Sequence, residues 1–415
     1  MMAMPKKILI LTADAGFGHR AAANAVADAL RERYGADCAV AIVNPLEERH
    51  ASRVLRLAQD DYDRMIRESP SMYRLGYEAS DSSLPVSIAE QALIAMLYAT
   101  MRDLLEVHQP DAIVSTYPLY QAPLAALFAL SGRYIPLLVV VTDLVSVHSL
   151  WFNDEVDRLL VPTQAVLEKA LESRLTPDCI EITGLPVNPA LAREVDKAEL
   201  RNHLGWGRDR VVALLAGSRR VTKLEPTVDV LDHCGWPMEL ALVAGGDKEL
   251  EGRWSARTWH QPAHVYGYVD DMASLMLAAD LIVCKAGGLI VSEALAAGLP
   301  LLLVEALPGQ EVGNAASVTE GGAGVLVKDP LEALVTVCHW LEDEGAGLAV
   351  RAARARALGR PQAAFRVAEV AWEAAQQGVR RREHRFGRQI PLLQQILRSL
   401  DLRRFPEKHG ARSDA

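Results

Sequence analysis

Short apolar runs alternate with longer stretches of helical periodicity along most of this chain. In the first half the apolar runs lie at 8–11, 38–43, 113–115, 137–141, 159–161 and 180–183. In the second half they lie at 211–215, 240–244, 265–266, 281–284, 301–304 and 324–327. Strands that are buried on both faces of a parallel sheet read as continuous apolar runs, and the stretches between them suit crossover helices. The pattern therefore predicts an α/β fold of two doubly wound domains that face each other across a cleft.

Length and loop composition locate the expected boundary between the two halves. A chain of 415 residues exceeds the usual size of a single core, so two domains are expected. The segment 184–189 reads Gly-Leu-Pro-Val-Asn-Pro and has the composition of a linker. We therefore predict an N-terminal domain at 1–189, a C-terminal domain at 190–378, and a basic helix with a disordered tail at 379–415.

Charge and composition exclude several classes of protein. The net charge of -9 argues against a nucleic-acid binder, because a phosphate polymer is repelled on average. No run approaches the roughly 18 apolar residues of a membrane span, and the start is too short for a secretion signal, so we expect a cytoplasmic protein. The five cysteines are scattered without Cys-x-x-Cys spacing, which predicts reduced core residues and neither a zinc site nor a disulfide framework.

The stretch 281–314 carries the strongest chemical signal. A strand ends at a glycine pair, a short helix follows, and a second strand leads to a polar loop. The candidate residues are Gly287, Gly288, Ser292, Glu293, Gln310, Glu311 and Asn314. The glycine pair lets a phosphate approach a helix N-terminus, and Glu293 can accept hydrogen bonds from sugar hydroxyls. The stretch predicts a sugar-nucleotide pocket; the alternative is that the glycines only close a turn and Glu293 is solvated.

Two other segments place candidate acid–base groups in the predicted cleft. His19 follows Gly18 at a helix start, and its ordinary pKa of about 6.5 suits a general base. Asp143 ends a central strand, where it could orient His19 or take the proton itself, and the sequence does not rank the two. Gly18, His148 and Trp151 are candidates for the acceptor side of the site, where His148 and Trp151 could line a channel. The alternative is that His19 and Asp143 only cap helices.

The run TDLVSVHSLWFNDEVDRLLVPTQAVLEKAL at 142–171, followed by ITGLPVNPAL, resembles the matching run of the galactolipid synthases. Together with the 281–314 stretch it resembles the glycosyltransferase family that contains monogalactosyldiacylglycerol synthases, processive diacylglycerol glucosyltransferases and lipid II-forming MurG enzymes. The resemblance implies the GT-B architecture and a transfer that needs no cofactor and no tightly bound metal ion.

The resemblance also implies roles for individual residues. The Ser292–Glu293 helix corresponds to the one that grips the ribose of a uridine diphosphate (UDP) sugar, and the 310–314 loop to the one that holds the hexose. Further residues near the diphosphate and the uracil are implied at Gly217, Ser218, Arg219, Gly245, Tyr268 and Val269. His19 corresponds to the acceptor end of the site. The chain departs from the family where AGSRR has lost two glycines of a phosphate turn and AGFGHR replaces a GGGHR-type loop.

Two stretches suggest contact with a lipid bilayer. Segment 380–404 combines arginines with leucines at helical spacing, which is typical of a helix on an anionic membrane surface; the alternative is a helix that packs across the hinge. Segment 84–105 is apolar at helical spacing, which predicts either a helix that dips into a bilayer or a core helix.

The sequence does not fix the hexose, the exact acceptor, the number of sugars added or the oligomeric state. Within those bounds we expect an inverting glycosyltransferase that moves a hexose from a UDP-sugar to diacylglycerol or a related glycolipid, peripherally on the inner face of the cell membrane. The alternatives are a MurG-like transferase with a polyprenyl-linked acceptor, a UDP-sugar epimerase of the same fold, and a non-catalytic nucleotide-sugar binder.

Overall fold

The computed structural model describes residues 4–14, 18–48, 83–173, 175–217, 221, 223–309 and 311–381. Within these ranges the chain forms two six-stranded parallel sheets with helices on their faces. This is the predicted α/β architecture of two doubly wound units. The predicted strands differ from the observed ones by at most two residues at either end.

The first sheet is built from the first half of the chain. Its half contains the strands β1 (Lys6–Leu11), β2 (Cys38–Val43), β3 (Ala112–Ser115), β4 (Arg133–Tyr134), β5 (Leu137–Val140), β6 (Arg158–Val161) and β7 (Ile180–Ile182). The sheet has the order β2-β1-β3-β5-β6-β7, and β4 lies outside it. In register, Ile10 of β1 is opposite Ile42 and Val114. Because the order reverses at β1 and β3, the loops after these strands open a crevice at the carboxyl edge.

Helices cover both faces of this sheet. They are α1 (Gly18–Tyr34), α2 (Ser83–His108), α3 (Gln121–Ser131) and α4 (Gln164–Glu172). In α2, Leu93, Leu97 and Met101 are buried in the core that α3 shares, so the core-helix interpretation holds for this part of the apolar segment. Residues 49–82 of the predicted helical region lie outside the described residues, and insertion of α2 into a bilayer stays a prediction.

The second half of the chain forms the second six-stranded parallel sheet. Its strands are β8 (Val211–Ala216), β9 (Met238–Val243), β10 (Ala263–Tyr266), β11 (Leu281–Lys285), β12 (Leu301–Glu305) and β13 (Gly324–Leu326), in the order β10-β9-β8-β11-β12-β13. Its helices are α5 (Lys197–Leu204), α6 (Leu224–Asp232), α7 (Lys248–Ser255), α8 (Met272–Ala278), α9 (Gly288–Ala296), α10 (Val312–Glu320) and α11 (Pro330–Leu358). The turn before β9 and the loop before β10 lie at the amino edge, and the loops after the strands lie at the carboxyl edge.

The chain then returns to the first sheet. The helix α12 (Ala363–Gln377) packs on α1, β1 and β3 with a buried alanine-rich face, and the Trp372 ring stacks on Tyr34 at 4.3 Å. The segment 190–378 therefore includes a helix that belongs by packing to the first sheet. The chain passes between the halves twice, near Gly184 and near Arg360. These two connecting segments are in contact, since a Cβ atom built on Gly184 would lie 2.5 Å from Cβ of Arg360.

The start of the predicted basic helix differs from the prediction. Arg380 and Arg381 form a short strand, β14, that pairs antiparallel with β4. Main-chain pairing with Arg133 and Tyr134 thus takes the place of helix at these two residues, whereas the leucines whose spacing predicted the helix lie outside the described residues. Residues 382–415 lie outside the described part of the chain. No helix in the described part combines the length and the apolar character that a membrane span requires.

Candidate active site

His19 is the second residue of α1 and lies at the carboxyl edge of the first sheet. Its Nδ1 atom lies 2.9 Å from the main-chain oxygen of Thr116 and 2.6 Å from Oγ1 of Thr142. A carbonyl oxygen can only accept a hydrogen bond, so Nδ1 carries the ring proton and donates it. The lone pair then lies on Nε2. This is the tautomer that a general base needs.

Asp143 and Trp151 form the environment of this imidazole. The Nε1–H of Trp151 donates to Oδ2 of Asp143 at 2.7 Å, and the ring of Tyr117 meets the His19 ring edge-on at 4.9 Å. Burial lowers the pKa of His19, and the negative charge of Asp143 raises it. Since burial is the larger effect, His19 is neutral at neutral pH. The nearby carboxylate can stabilise the imidazolium that forms when His19 takes a proton.

Of the predicted acceptor residues, Trp151 and His148 make hydrogen bonds within the protein, whereas Gly18 is open. Trp151 is 1% exposed and holds Asp143, and Nδ1 of His148 accepts the Leu150 N–H at 3.1 Å and caps a short 3-10 helix. A Cβ atom on Gly18 would meet nothing within 4 Å. The packing thus gives Trp151 and His148 positioning contacts, and their role in lining an acceptor channel stays a prediction.

The loop after β5 brings the two halves of the molecule together. A Cβ atom on Gly288 would lie 3.7 Å from the main-chain oxygen of Thr142, and one on Gly313 would lie 2.9 Å from Oγ of Ser146. The loop therefore rests on the N-termini of α9 and α10. Thr142 contacts His19 through its side chain and approaches Gly288 through its carbonyl group. His19 and the glycine pair consequently border one crevice between the sheets.

The first turns of α9 carry the Ser-Glu pair. Oγ of Ser292 donates to the main-chain oxygen of Gly288 at 2.8 Å. Glu293 is partly buried, and desolvation raises the pKa of its carboxyl group to about 7. The alternative of a fully solvated Glu293 does not fit this environment. A carboxyl group with such a pKa is stabilised as the anion when hydroxyl donors bind it.

Glu311 is 6% exposed and has partners on both carboxylate oxygens. Oε1 pairs with the Nζ ammonium of Lys285, and Oε2 accepts the Leu307 N–H at 3.0 Å. A Cβ atom on Gly287 would lie 3.6 Å from Oε1 of Glu311. The ion pair therefore lies directly beside the glycine pair, where each oxygen retains a lone pair for a ligand hydroxyl.

Asn314 lies on α10 next to the same glycines. Its Nδ2 donates to the main-chain oxygen of Ala286 at 3.0 Å, and Nδ2 would lie 3.8 Å from a Cβ atom on Gly288. Its Oδ1 is buried and has no hydrogen-bond partner among the described residues. A buried acceptor without a partner is costly, and a ligand donor could satisfy it.

The other predicted donor residues follow β8, β9 and β10 at the same edge of the second sheet. Gly217 donates its N–H to Val243 at 2.7 Å, and Gly245 has a positive φ of 60° in the turn before α7. Tyr268 is 69% exposed beside this turn, whereas Val269 packs against the core. The remaining predicted donor residues, Ser218, Arg219 and Gln310, lie outside the described residues.

Three contacts at this site involve residues that the sequence did not single out. They are the Thr116 carbonyl group and the Thr142 hydroxyl group on His19, and Lys285 on Glu311. Thr142 and Lys285 each end or follow a strand at the ligand edge, which is the available sequence signal. The Thr116 contact uses the main chain, so its side chain carries no signal.

Comparison with known families agrees with this geometry. A model of the monogalactosyldiacylglycerol (MGDG) synthase family matches residues 19–187, and a model of the glycosyltransferase family 28 C-terminal domain matches residues 229–347. The first match spans the His19, Asp143 and Trp151 group. The second spans the Gly287-Gly288 turn and the α10 loop.

Curated relatives and solved structures extend the comparison to most of the chain. The spinach (Spinacia oleracea) chloroplastic MGDG synthase is 33% identical over 376 residues, which cover 88% of this chain and 71% of that protein. Arabidopsis thaliana MGDG synthase 1 is 30% identical, with 88% and 70% covered. The crystal structure of Acinetobacter baumannii MurG is similar in fold, with a TM-score of 0.56 at 16% identity, covering 89% of this chain and 100% of that one.

A putative UDP-N-acetylglucosamine 2-epimerase from Listeria monocytogenes has the same TM-score of 0.56 at 17% identity, covering 92% of this chain and 100% of that one. At such low identity the solved structures support the GT-B fold and do not separate a transferase from an epimerase. The curated relatives do separate them, because their identity extends over both halves of the chain. This chain therefore belongs to the MGDG synthase family within glycosyltransferase family 28 and is a glycosyltransferase of GT-B fold.

Proposed function

We propose that this glycosyltransferase moves a hexose from a UDP-sugar to the free hydroxyl of diacylglycerol or a related glycolipid. The observation that carries the proposal is the shared crevice in which Thr142 links His19 to the Gly287-Gly288 turn. A base on one side and a phosphate-binding helix end on the other are the two groups that such a displacement requires. The relatives are named for galactose and diacylglycerol, which makes UDP-galactose the first donor to test.

In this proposal His19 is the general base. Nδ1–H donates to Thr116 and Thr142, so Nε2 takes the proton of the lipid hydroxyl as its oxygen attacks C1 of the sugar. Asp143 stabilises the imidazolium through its charge, and Trp151 holds Asp143 in place. Asp143 acts as the partner of the base and not as the base.

The second half of the site binds the donor in this proposal. The diphosphate lies at the N-terminus of α9, where the N–H groups after Gly287 and the helix dipole stabilise the charge of the leaving UDP. Ser292 and Glu293 bind the ribose. Gln310, Glu311 and Asn314 bind the hexose. Further contacts to phosphate and uracil come from Gly217, Ser218, Arg219, Gly245, Tyr268 and Val269.

The direction of attack follows from this arrangement. The lipid hydroxyl approaches from the His19 side, and UDP leaves on the α9 side, so C1 is displaced in line and its configuration inverts. An α-linked donor then gives a β-glycoside. Positive charge at a helix end takes over the task of a divalent ion, so the reaction is expected to proceed without one.

The acceptor resides in a bilayer, so the enzyme has to work at a membrane surface. We propose peripheral attachment to an anionic surface on the inner face of the cell membrane, through the basic segment after Arg381 and the apolar segment of α2. Flotation of the protein with vesicles tests this. Binding to vesicles with anionic lipid and not to neutral ones is expected. Equal recovery with both kinds of vesicle would contradict electrostatic attachment through the basic segment.

One transfer assay tests the proposed reaction. The purified protein is incubated with radiolabelled UDP-galactose or UDP-glucose and vesicles that contain diacylglycerol, in buffer with a metal chelator. A labelled β-linked glycolipid is expected, and the His19→Ala variant should not form it. Label that enters only a polyprenyl diphosphate sugar, or a UDP-sugar that is isomerised without transfer, would overturn the proposal.

A further inference from the structure

Three side chains with metal-binding chemistry meet at the edge of the second sheet opposite the active site. Asp232 is the last residue of α6, His233 follows it, and His260 lies in the loop before β10. One ligand atom from each lies within 4.8 Å of the others. The rings of the two histidines are 4.0 Å apart, centroid to centroid. Both histidines are exposed, whereas the Asp232 side chain is fully buried.

The Asp232 carboxylate is fixed by one oxygen and presents the other to the histidines. Oδ1 accepts the main-chain N–H groups of His260 and Gln261, each at 3.0 Å. Oδ2 lies 3.4 Å from Nδ1 of His260 and 3.9 Å from Nδ1 of His233. Oδ2 is therefore the carboxylate oxygen that faces the two imidazole rings.

We propose that Asp232, His233 and His260 form a structural site for a zinc ion. Ligand atoms about 2.0–2.1 Å from a tetrahedral Zn²⁺ ion lie roughly 3.3 Å from one another. The two distances from Oδ2 exceed that value by only a few tenths of an ångström, which rotation of exposed rings can close. Two imidazole nitrogens and one carboxylate oxygen are a ligand set that zinc accepts, with water in the fourth position.

Metal binding rearranges three neighbouring contacts. Nδ1 of His260 faces Oδ2 of Asp232 at 3.4 Å and donates to it, so its proton has to move to Nε2 before Nδ1 can bind the metal. Nδ1 of His233 lies 2.9 Å from the main-chain oxygen of Asp229 and donates to it, so its proton has to move to Nε2 before Nδ1 can bind the metal. Arg257 contacts Oδ2 of Asp232 at 3.1 Å and also pairs with the Asp229 carboxylate, so it can leave Asp232 and keep Asp229. With Arg257 and two carboxylates present, the empty group carries a charge of about −1.

The expected consequence is a link between two loops that the backbone alone does not join. The ion would tie the end of α6 to the segment before β10, which are 28 positions apart in sequence at Asp232 and His260. This separation explains why motif spacing gave no signal for a metal. The site lies at the amino edge of the sheet, whereas the donor loops lie at the carboxyl edge, so zinc should stabilise the fold without taking part in transfer.

Zinc titration of the metal-free full-length protein tests the site. The protein competes with a chromogenic chelator for Zn²⁺, and Co²⁺ reports tetrahedral geometry through its visible absorption. The variants are His233→Gln and His260→Gln. The matched control is His339→Gln, because His339 is an exposed histidine whose Nδ1 lies 3.0 Å from Glu342 but which belongs to no group of three metal-binding side chains in the described structure.

One Zn²⁺ per chain is expected for the wild type and His339→Gln, with affinity at least about tenfold lower in the two site variants. Zinc should raise the melting temperature of the wild type and of the control, and not of His260→Gln. Equal zinc affinity in all four proteins, or binding that persists when His233→Gln and His260→Gln are combined in one protein, would overturn the site. Transfer activity should be the same in all four, so the proposed reaction is tested separately.

Discussion

Oγ1 of Thr142 lies 2.6 Å from Nδ1 of His19, and the carbonyl group of the same threonine lies against Gly288 in the other half of the molecule. One residue thus connects the proposed general base to the helix end that we propose binds the donor phosphates. Because Nδ1 is held by Thr116 and Thr142 together, the direction of the Nε2 lone pair is fixed relative to that helix end. The distance between the two halves and the orientation of the base are therefore set at the same point.

Replacing Thr142 by valine keeps its shape and removes the hydroxyl group. The net contribution of one hydrogen bond is about 1 kcal/mol, so kcat should fall about fivefold while KM for the UDP-sugar stays the same. Thr142→Ser keeps the hydroxyl group and should retain most of the rate. Steady-state kinetics of the three proteins check this, and wild-type kcat in Thr142→Val would mean that the Thr116 carbonyl group alone orients His19.

The dependence of kcat/KM on pH should report the pKa of His19, which burial and Asp143 shift in opposite directions. Burial lowers its pKa and Asp143 raises it, so the base is active above that pKa and kcat/KM is lost as the pH falls through it. In Asp143→Asn the effect of burial remains without the opposing charge. The acid limb should therefore move to lower pH.

On the high-pH plateau of the profile, kcat/KM of Asp143→Asn should be lower than that of the wild type by at least about tenfold, because the imidazolium loses its counter-charge. Asparagine retains an acceptor for the Trp151 N–H, so the change is mainly one of charge. The measurement is kcat/KM against pH for both proteins. An acid limb that moves to higher pH would contradict the assignment of His19 as the base.

The fold could be predicted because strands buried in a parallel sheet have uninterrupted apolar sequences. Residues 301–304, for example, are all apolar and at most 2% exposed, so hydrophobicity alone marks this strand. The short strand at Arg380–Arg381 could not be predicted in this way. Its pairing depends on an edge provided by Arg133–Tyr134, about 250 positions away, and no local pattern contains that information.

The proximity of candidate site residues was predictable where they end a strand or begin a helix. His19, Asp143 and Gly288 occupy such positions, and the structure brings them to one crevice. The ion pair of Lys285 with Glu311 and the indole contact of Trp151 with Asp143 were not predicted, because each depends on side-chain directions in the folded chain. Local pattern gives the edge of the sheet, and packing decides which polar groups meet there.

Substitution of Gly184 tests the contact between the two segments that connect the halves of the molecule. The φ of Gly184 is 87°, and a Cβ atom there would lie 2.5 Å from Cβ of Arg360. Gly184→Ala combines a left-handed backbone with a clash and should lower the free energy of unfolding by about 3 kcal/mol or more. Gly132→Ala is the matched control, since its φ is 62° with nothing within 4 Å, and should lose about 1 kcal/mol. Equal losses by denaturant unfolding would mean that the connections do not press on each other.

Donor binding should depend on pH through Glu293. Desolvation raises its pKa to about 7, and ribose hydroxyls donate more strongly to the carboxylate anion than to the neutral acid, so binding favours the ionised form and releases a proton at lower pH. Affinity for a UDP-sugar should therefore rise about tenfold from pH 6 to pH 8. A UDP-sugar is the suitable ligand because its esterified phosphates do not titrate in this range, unlike those of UDP. In Glu293→Gln the affinity should be lower and independent of pH by calorimetry, whereas a wild-type profile in that variant would remove Glu293 from the ribose site.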